Sequence, residues 1–519
     1  AYSKPANMLY NLKGYLGEER FLKAMQAYYD QWKLKHPNEE RFRFVMEKVT
    51  DEELDWFFNS WLHEKGFADY TLSGWDRKQL SNGEYEVTAT IINKGTMEYP
   101  LDVEVELANG KKYRPERWTN FINNWKDNYT FTVPSKPKRI TLDPDDWILD
   151  IDRRDNSSGL LRHKLSLQLN PAFNSPRDAY KVTIFPSLIW YHPLDGWKPG
   201  LMLNRAYGFW THQTLNLSYG IKSQRIFWSF GSSHDLRNIL PGVNLSWGIS
   251  ELEGVKSREI QIDHFWSKWY HYPPTFSFSG GYQVTTADGS NYTDLYEAGT
   301  VGLLFGNVGL SVKVGYFNSE INIAISSSGG SISDWDFSRL IISGKFSTSK
   351  DKVHLAFRFM GGGTAVGSEG LPIQEKFTIQ SAGAADYYHW SHLRHRDILS
   401  GLRDHFHIYG DANLRGYYAH GYEGAESVIV STLEAGYQLF SSLKVRSFFD
   451  GGWLWSVADN FEGDLLMDAG VGFSFKPDFN FYGYSISLRI DFPFWISEET
   501  ADQSEVDFNR WLISFQKGL

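Results

Sequence analysis

The chain has 519 residues and a formal net charge of −10, from 52 basic and 62 acidic side chains. This length allows two or three domains with separate hydrophobic cores, and the acidic balance provides no basic surface for nucleic acid. The absence of cysteine excludes disulfides, thiolate catalysis and cysteine-ligated metals. No apolar run is long enough for a transmembrane helix. Because the sequence opens on Ala1 rather than on a start methionine, we expect it to be the C-terminal part of a longer protein.

Residues 1–70 are predicted to be helical. Apolar residues recur here at spacings of three and four, which is the pattern of helices that bury one face. Thr50 followed by Glu53 has the spacing of a capping box, and Gly66 is a typical helix stop. We therefore expect a helix to begin at Thr50 and to end at Gly66.

Residues 71–152 change to the alternation of strands. The segments "YEVTATIIN" and "LDVEVELANG" place apolar side chains at every second position, with Gly, Asn and Pro between them. The length and the number of such segments predict a small fibronectin-like β-sandwich. The charged segment that follows, which contains Ser and Gly, predicts a linker over residues 153–178.

Strand-like alternation continues from residue 179 to residue 519. In "VGLSVKVGYF", for example, large apolar residues alternate with Gly, Ser and Lys. A soluble sandwich also alternates, but a transmembrane barrel additionally explains the aromatic content of 16% and the long recurrence of such strands. We therefore predict a mainly β protein whose C-terminal domain is a transmembrane antiparallel barrel of roughly 16 strands, and keep a soluble β-fold as the alternative.

The pleat of two late strands predicts an acidic barrel wall. Alternate residues point to opposite faces, so Asp450 lies on the face opposite Phe449, and Glu434 lies opposite Leu433. A charge that faces lipid near the membrane midplane costs about 2–4 kcal/mol, so the carboxylates must face the lumen. A long loop that folds back into the barrel would bring Arg415 to this wall.

Two short motifs carry a family resemblance. "LRGY", at 414–417, and "FFDGGW", at 448–453, resemble the paired signature of BamA/TamA-like outer-membrane assembly and translocation barrels. In that family, an Arg-Gly-aromatic loop tip enters the lumen and pairs with the Asp of a Phe-x-Asp-x-Gly strand. The matching residues are Arg415, Gly416, Tyr417, Phe448, Asp450 and Gly452. The resemblance implies a location in the outer membrane of a bacterial cell, with outer-membrane lipid around the barrel and the N-terminal domains in the periplasm.

The N-terminal residues resemble a second family. Tyr2-Ser3-Lys4 before a helix, then "ELDWFFNSWL" and a small sandwich, are similar to the C-terminal part of aminopeptidase-N-like zinc metallopeptidases, the gluzincins. In that family the Tyr hydroxyl donates a hydrogen bond to the oxyanion of the tetrahedral intermediate, so the resemblance implies that Tyr2 stabilises the transition state. Pro5 stands where the family usually has Gly.

The zinc site of that family is missing from the sequence. A gluzincin binds zinc through two His in a His-Glu-x-x-His helix and a downstream Glu, and this string does not occur in the chain. We expect no metal site here and zinc only in the full-length protein. The resemblance implies a peptide or protein substrate, and the acidic charge balance predicts no nucleic acid partner. Three functions stay open: an outer-membrane-anchored zinc aminopeptidase, a translocation or assembly barrel with its passenger, and a barrel with a peptide-binding pseudo-peptidase.

Overall fold

The structure is a computed structural model that divides the chain into two compact units. The first reaches Leu167, and the second takes the chain from Val182 onward. The residues it describes are 3–64, 66–119, 126–158, 165–168, 179–192, 195–207, 211–236, 240, 242–252, 254–267, 274–287, 296–379, 407, 410–417, 424–456, 463–476, 488–499 and 504–514.

The first unit begins with helices. Their bounds are α1 Ser3–Leu16, α2 Glu18–Trp32, α3 Glu39–Thr50 and α4 Asp55–Phe58, which continues as a π-helical turn, Asn59–His63. The capping box predicted at Thr50 is wrong. Thr50 is the last residue of α3, its hydroxyl donates to the carbonyl of Met46 at 2.7 Å, and Asp51 turns the backbone with φ 55°. None of the described helices is long and apolar enough to cross a membrane.

Two small antiparallel sheets follow the helices. One has the order β1-β2-β5 and the other the order β4-β3-β6. The strands are β1 Tyr70–Gln79, β2 Tyr85–Asn93, β3 Val103–Leu107, β4 Lys112–Tyr113, β5 Lys126–Val133 and β6 Pro137–Leu142. Each of the two sheets thus has three short strands and buries one of its faces.

The helices and the two sheets share one hydrophobic core. At α1, a β-carbon added to Gly14 would overlap the β-carbon of Trp147, so this helix meets the residues after β6 at close range. The helices and sandwich, predicted as separate domains, therefore form one packed unit. Its fully buried apolar residues include Leu12, Leu54, Phe57, Phe58, Val87, Ala89, Ile91, Val105, Ile140 and Ile148.

The segment predicted to be a linker begins with packed residues. Arg153 is buried, and its guanidinium lies 2.5 Å from the carboxylate of Asp143. Ser158 donates its backbone N–H to the carbonyl of Ile140 in β6. Residues 153–158 thus belong to the sandwich, because a buried ion pair and backbone hydrogen bonds hold them there.

The second unit is a closed barrel. Among the described residues, seventeen strands form one closed sheet, against the roughly 16 predicted. The neighbouring strand pairs with assigned register, from β9 to β18 and from β18 through β21 to β25, are all antiparallel. The sheet continues from β25 to β7 and β8, which closes it. β19 and β20 pair separately with each other.

The strands of this unit have the following bounds: β7 Leu165–Gln168, β8 Tyr180–His192, β9 Gly196–Tyr207, β10 Thr211–Gly220, β11 Arg225–Asp235, β12 Val243–Leu252, β13 Val255–Ser267, β14 Thr275–Ala287, β15 Gly299–Val314, β16 Phe317–Ser328, β17 Phe337–Lys350, β18 Val353–Val366, β19 Phe377–Thr378, β20 Gly424–Ala425, β21 Ser427–Phe440, β22 Leu443–Trp455, β23 Asp464–Phe475, β24 Leu488–Ile496 and β25 Leu512–Ser514.

The outer face of the barrel is apolar. Along its strands, large apolar side chains at alternate positions are exposed, and most of the residues between them are polar or small. A monomeric soluble protein rarely exposes so large an apolar surface, whereas a barrel in lipid requires it. The predicted transmembrane barrel is therefore confirmed. Its outward side chains include Leu217, Ile249, Ile262, Phe278, Leu310, Ile323, Ile325, Leu340, Ile342, Leu355, Phe357, Leu433, Phe449 and Phe473.

Candidate functional site

Strands β21 and β22 form an acidic wall on the inside of the barrel. Glu434 is 1% exposed and Asp450 is fully buried, whereas their neighbours Leu433 and Phe449 are 56% and 44% exposed. Glu434 lies directly opposite Phe448 across the two strands. The alternation of the pleat thus places both carboxylates in the lumen and both apolar neighbours outside.

Arg415 reaches this wall from the long connection between β18 and β21. It begins a short 3-10 turn, Arg415–Tyr417, which we call the loop tip. Its Nε and Nη2 atoms donate to the two Asp450 carboxylate oxygens at 2.6 and 2.9 Å. Nη1 donates to Glu434 at 2.8 Å and to Asp491 at 3.2 Å. One guanidinium therefore contacts three carboxylates, with the fork geometry that arginine alone provides.

An aromatic ring completes the Arg415 environment. The Cζ atom of its guanidinium lies 3.6 Å from the centroid of the Phe448 ring. A guanidinium over a ring face is attracted by the electron density of that face, and the attraction is stronger where water is excluded. Arg415 is fully buried, so the ring replaces solvent on the side that carries no carboxylate.

Two glycines provide the space that the loop tip needs. A β-carbon on Gly416 would lie 2.6 Å from side-chain atoms of Asp468 and of Ile496. A β-carbon on Gly452 would lie 2.7 Å from Val430 and 3.3 Å from Leu414, the fully buried residue before Arg415. Any larger residue at either position would push the loop tip away from the wall.

Tyr417 fixes the other end of the loop tip. Its side chain is fully buried, and its hydroxyl lies 3.1 Å from the Ser497 hydroxyl. The same hydroxyl accepts a hydrogen bond from the backbone N–H of Glu498 at 3.2 Å. Both partners follow directly after β24, so Tyr417 joins the loop tip to the end of that strand.

The backbone before the loop tip has a further anchor. His407 is buried, and its Nε2 atom lies 2.9 Å from the side-chain oxygen of Asn413. Asn413 donates in turn to the hydroxyl of Thr432 on β21 at 3.4 Å. The backbone N–H of His407 donates to Ile513 in the last strand. These contacts hold the connection against both β21 and β25.

The predicted residues are part of a larger charged cluster. Arg489 donates to Asp491 at 2.6 Å and also to Glu434, and Arg446 donates to Asp491 at 3.3 Å. The parity rule that identified Asp450 would also have placed Arg489 and Asp491 inward, because they are two residues apart on one strand. We call the set the lumen cluster; it comprises Arg415, Glu434, Arg446, Asp450, Asp468, Arg489 and Asp491.

Asp468 differs from the other members of the lumen cluster. It is fully buried and lies directly opposite Asp450 across β22 and β23. No hydrogen bond of ordinary geometry reaches either of its carboxylate oxygens within the described ranges. The polar groups that act on it include the Asp450 carboxylate, the Arg415 guanidinium and the backbone N–H of Gly416. Asp468 thus contributes a carboxyl group to the cluster and has no cation of its own.

The first unit has a separate pair of buried carboxyl groups. Asp150 accepts hydrogen bonds from the backbone of Tyr70 at 3.0 Å and from the side chain of Asn156 at 2.9 Å. Burial nevertheless raises the pKa of Asp150 to about 7. Asp69 is fully buried, neither of its oxygens has a partner among the described residues, and burial raises its pKa to about 6.

The catalytic residue predicted from the peptidase resemblance cannot be placed. Tyr2 lies outside the described residues, and α1 begins one residue later, at Ser3. In the part of the chain that the structure describes, no group of three His, Asp or Glu side chains could hold a metal ion. The described residues therefore do not form a zinc site, and no chemical step through zinc follows from them.

Comparisons with known proteins give structural similarities only. No protein-family model matches the sequence, and no curated protein matches it. BamA from Haemophilus ducreyi, in a structure that lacks POTRA domains 1–3, is similar with 12% identity and a TM-score of 0.38, over 64% of this chain and 69% of that one. CdiB from Escherichia coli is similar with 11% identity and a TM-score of 0.36, over 67% and 66% of the two chains.

A third structure is similar over a shorter part of the chain. Aminopeptidase A from Legionella pneumophila, in complex with aspartic acid, shows 15% identity and a TM-score of 0.22. The match covers 27% of this chain and 16% of the aminopeptidase. All three TM-scores are below 0.5, so the fold assignment depends on the closed strand order and the apolar outer face described above.

Proposed function

We propose that this protein is an outer-membrane barrel that takes part in the translocation or assembly of proteins, and that its loop tip regulates the lumen. The single observation that carries this proposal is the fully buried Arg415, held by three carboxylates on the inner wall. The segment that contains it enters the barrel from the connection between β18 and β21. The state of the lumen therefore depends on the position of this segment.

A barrel that only anchors another domain has no need for the lumen cluster. Lipid-facing apolar side chains and a closed hydrogen-bonded sheet are sufficient for anchoring. Burying several charges is costly, and replacing them by apolar residues is often neutral or stabilising. A cluster centred on a loop residue instead gives one defined loop conformation. This favours a barrel whose loop has a function of its own over a passive anchor.

The partners and the orientation follow from this proposal. The apolar outer face would contact the lipid of a bacterial outer membrane, and a polypeptide is the substrate class that the translocation role requires. The first unit would lie in the periplasm. The Arg-Gly-Tyr tip and the Phe-x-Asp-x-Gly strand, which resemble the BamA/TamA-like signature, support this reading through the contact between Arg415 and Asp450.

Neighbouring residues on β16 provide a matched test of membrane insertion. Ile323 faces outward and Asn322 faces inward on the same strand. Ile323→Arg should reduce the yield of folded, heat-modifiable protein in the outer membrane, because a lipid-facing Arg costs about 2–4 kcal/mol near the midplane. Asn322→Arg adds the same charge to the lumen and should insert normally. Equal insertion of both variants would contradict the assignment of Ile323 to the lipid-facing side and of Asn322 to the lumen side.

We propose as a second function that the first unit belongs to a zinc aminopeptidase tethered by the barrel. Its support is the order of helices followed by a sandwich on one shared core, in the sequence order of the gluzincin resemblance. In the full-length protein, Tyr2→Phe should lower kcat by roughly 10²–10³-fold, as loss of one oxyanion donor does. The zinc content should stay the same, because Tyr2 is not a ligand. An unchanged kcat would refute this role, and a full-length sequence without His-Glu-x-x-His would favour a pseudo-peptidase.

A further inference from the structure

The charges of the lumen cluster do not balance. Three guanidinium groups face four carboxyl groups, and every one of these side chains is at most 4% exposed. Arg415 contacts Asp450, Glu434 and Asp491, and the other two arginines contact Glu434 and Asp491 again. The fourth carboxyl group, Asp468, is in no ion pair that the described residues form. If all four carboxyl groups were ionised, the buried cluster would carry one uncompensated negative charge.

Asp468 is the residue that would carry this uncompensated negative charge. It faces Asp450 from the adjacent strand, and a second ionised carboxylate at that distance is unfavourable in a buried wall. On its other side Asp468 lies opposite the apolar Ile496 of β24. The nearby cation of the loop tip, Arg415, is hydrogen-bonded to Asp450. Among the described residues, the other charged members of the lumen cluster contact one another, and His407 is hydrogen-bonded to Asn413. Arg358, at the same level two strands beyond Asp450, donates to the carbonyl of Asp411.

We propose that Asp468 holds a proton while the loop tip is inserted, and that withdrawal of the loop tip releases this proton. The inference rests on the proposed role of the loop tip as a movable element. Gly416 lies directly against the Asp468 side chain, so the inserted tip excludes water from it. When the tip leaves, water reaches the wall, and a hydrated carboxyl group is ionised at neutral pH.

The sign of the coupling follows from this difference in bound protons. The inserted state binds one proton more than the withdrawn state, so a rise in pH favours withdrawal. Insertion is therefore fully stable at pH values where a hydrated Asp is protonated, and it is lost as pH rises through the range in which buried Asp468 ionises. A single proton limits the change in the equilibrium to about tenfold per pH unit.

The cysteine-free chain permits a direct measurement of tip insertion. A thiol introduced by Ala412→Cys is buried when the tip is inserted, since Ala412 is fully buried. A second chain with Ser368→Cys carries an exposed thiol as the reference. The ratio of their labelling rates in detergent, measured from pH 5 to pH 9, cancels the pH dependence of the thiol reaction itself. Heat-modifiable migration shows that each variant is folded.

We expect the labelling ratio to rise with pH in the parent chain and to be independent of pH in Asp468→Asn, which mimics the protonated carboxyl. Asp468→Ala removes the same proton site and serves if the Asn variant does not fold. The same pH slope in parent and variants would overturn the proposal, and so would a parent ratio that does not change with pH. Because labelling reports tip insertion and not transport, a barrel that fails to translocate protein would refute the proposed function without affecting this result.

Discussion

Replacing Arg415 by Ala tests whether the loop tip is held by its ion pairs. The substitution leaves the Asp450 carboxylate without its bidentate partner and removes a donor from Glu434 and Asp491. Removing one partner of a buried ion pair costs about 3–5 kcal/mol, because the other charge remains buried. At about 1.36 kcal/mol per tenfold, the insertion equilibrium should shift by roughly a hundredfold to several thousandfold.

Hydrogen exchange of residues 410–417, followed by mass spectrometry, measures this shift. In the inserted state, the backbone N–H of Ala412 donates to Thr378 and that of Leu414 donates to Ile379. Exchange of both amides should accelerate by the factor above in Arg415→Ala, while exchange in the barrel strands stays the same. Arg415→Lys is the matched control: it keeps the charge but cannot form the fork, so it should give an intermediate rate.

The double variant Arg415→Ala/Asp450→Ala separates direct contact from indirect effects. It removes the guanidinium together with its bidentate partner, so its loss should be clearly smaller than the sum of the two single losses. Glu434 and Asp491 keep Arg489 as a partner in every variant. Fully additive losses, or normal exchange in Arg415→Ala, would refute the reasoning that these ion pairs fix the loop tip.

Three further substitutions have defined outcomes. Gly416→Ala places a β-carbon against Asp468 and should speed loop-tip exchange by roughly ten- to a hundredfold, equivalent to an overpacking cost of about 1–3 kcal/mol; unchanged exchange would mean that the contact is loose. Asp69→Asn should leave stability nearly the same at pH 3 and raise it at pH 8 by about 2–3 kcal/mol, as measured by urea unfolding with hydrogen exchange in β1 as the probe. Because the pKa of Asp69 is raised to about 6, the buried carboxyl costs nothing at pH values where it is protonated in both states, and its cost grows as pH rises from about 4 through 6; equal stability of variant and parent at pH 8 would contradict this sign. Gly14→Ala should destabilise α1 by about 1–3 kcal/mol through its clash with Trp147, and a thermal scan that shows a more stable first unit would refute the close approach.

Alternation along the strands was sufficient to predict the barrel and its acidic wall. It placed Asp450 and Glu434 inside from neighbouring residues alone, because the pleat has a strict period of two. The same parity placed Arg446 inside, but the cluster as one site was not predicted, since Arg489 and Asp491 become relevant only when β24 closes next to β21 and β22 around the loop. Parity shows which face a side chain occupies, but the distance between strands far apart in sequence depends on the closed sheet.

The same limit explains the first unit. Periodicity correctly indicated helices and then strands, but it did not indicate that one core would serve both. Thr50 shows how local signals mislead: its spacing to Glu53 fits a capping box, yet the helix before it continues to Thr50, whose hydroxyl bonds to Met46. Local patterns specify the elements, and the packing between them decides where each one ends.

The shared core of helices and sandwich limits where recombination can divide the first unit without disrupting it. Recombination preserves function when exchanged segments carry complete sets of contacts. A crossover near residue 70 would separate Leu12 and Phe57 from Val87 and Ile140, their partners in the core. It would also separate the glycine of α1 from the tryptophan that fits against it. The segment from α1 to Ser158 is therefore the smallest piece of the first unit that could move between proteins as an intact block, and homologous exchanges should have their boundaries outside it.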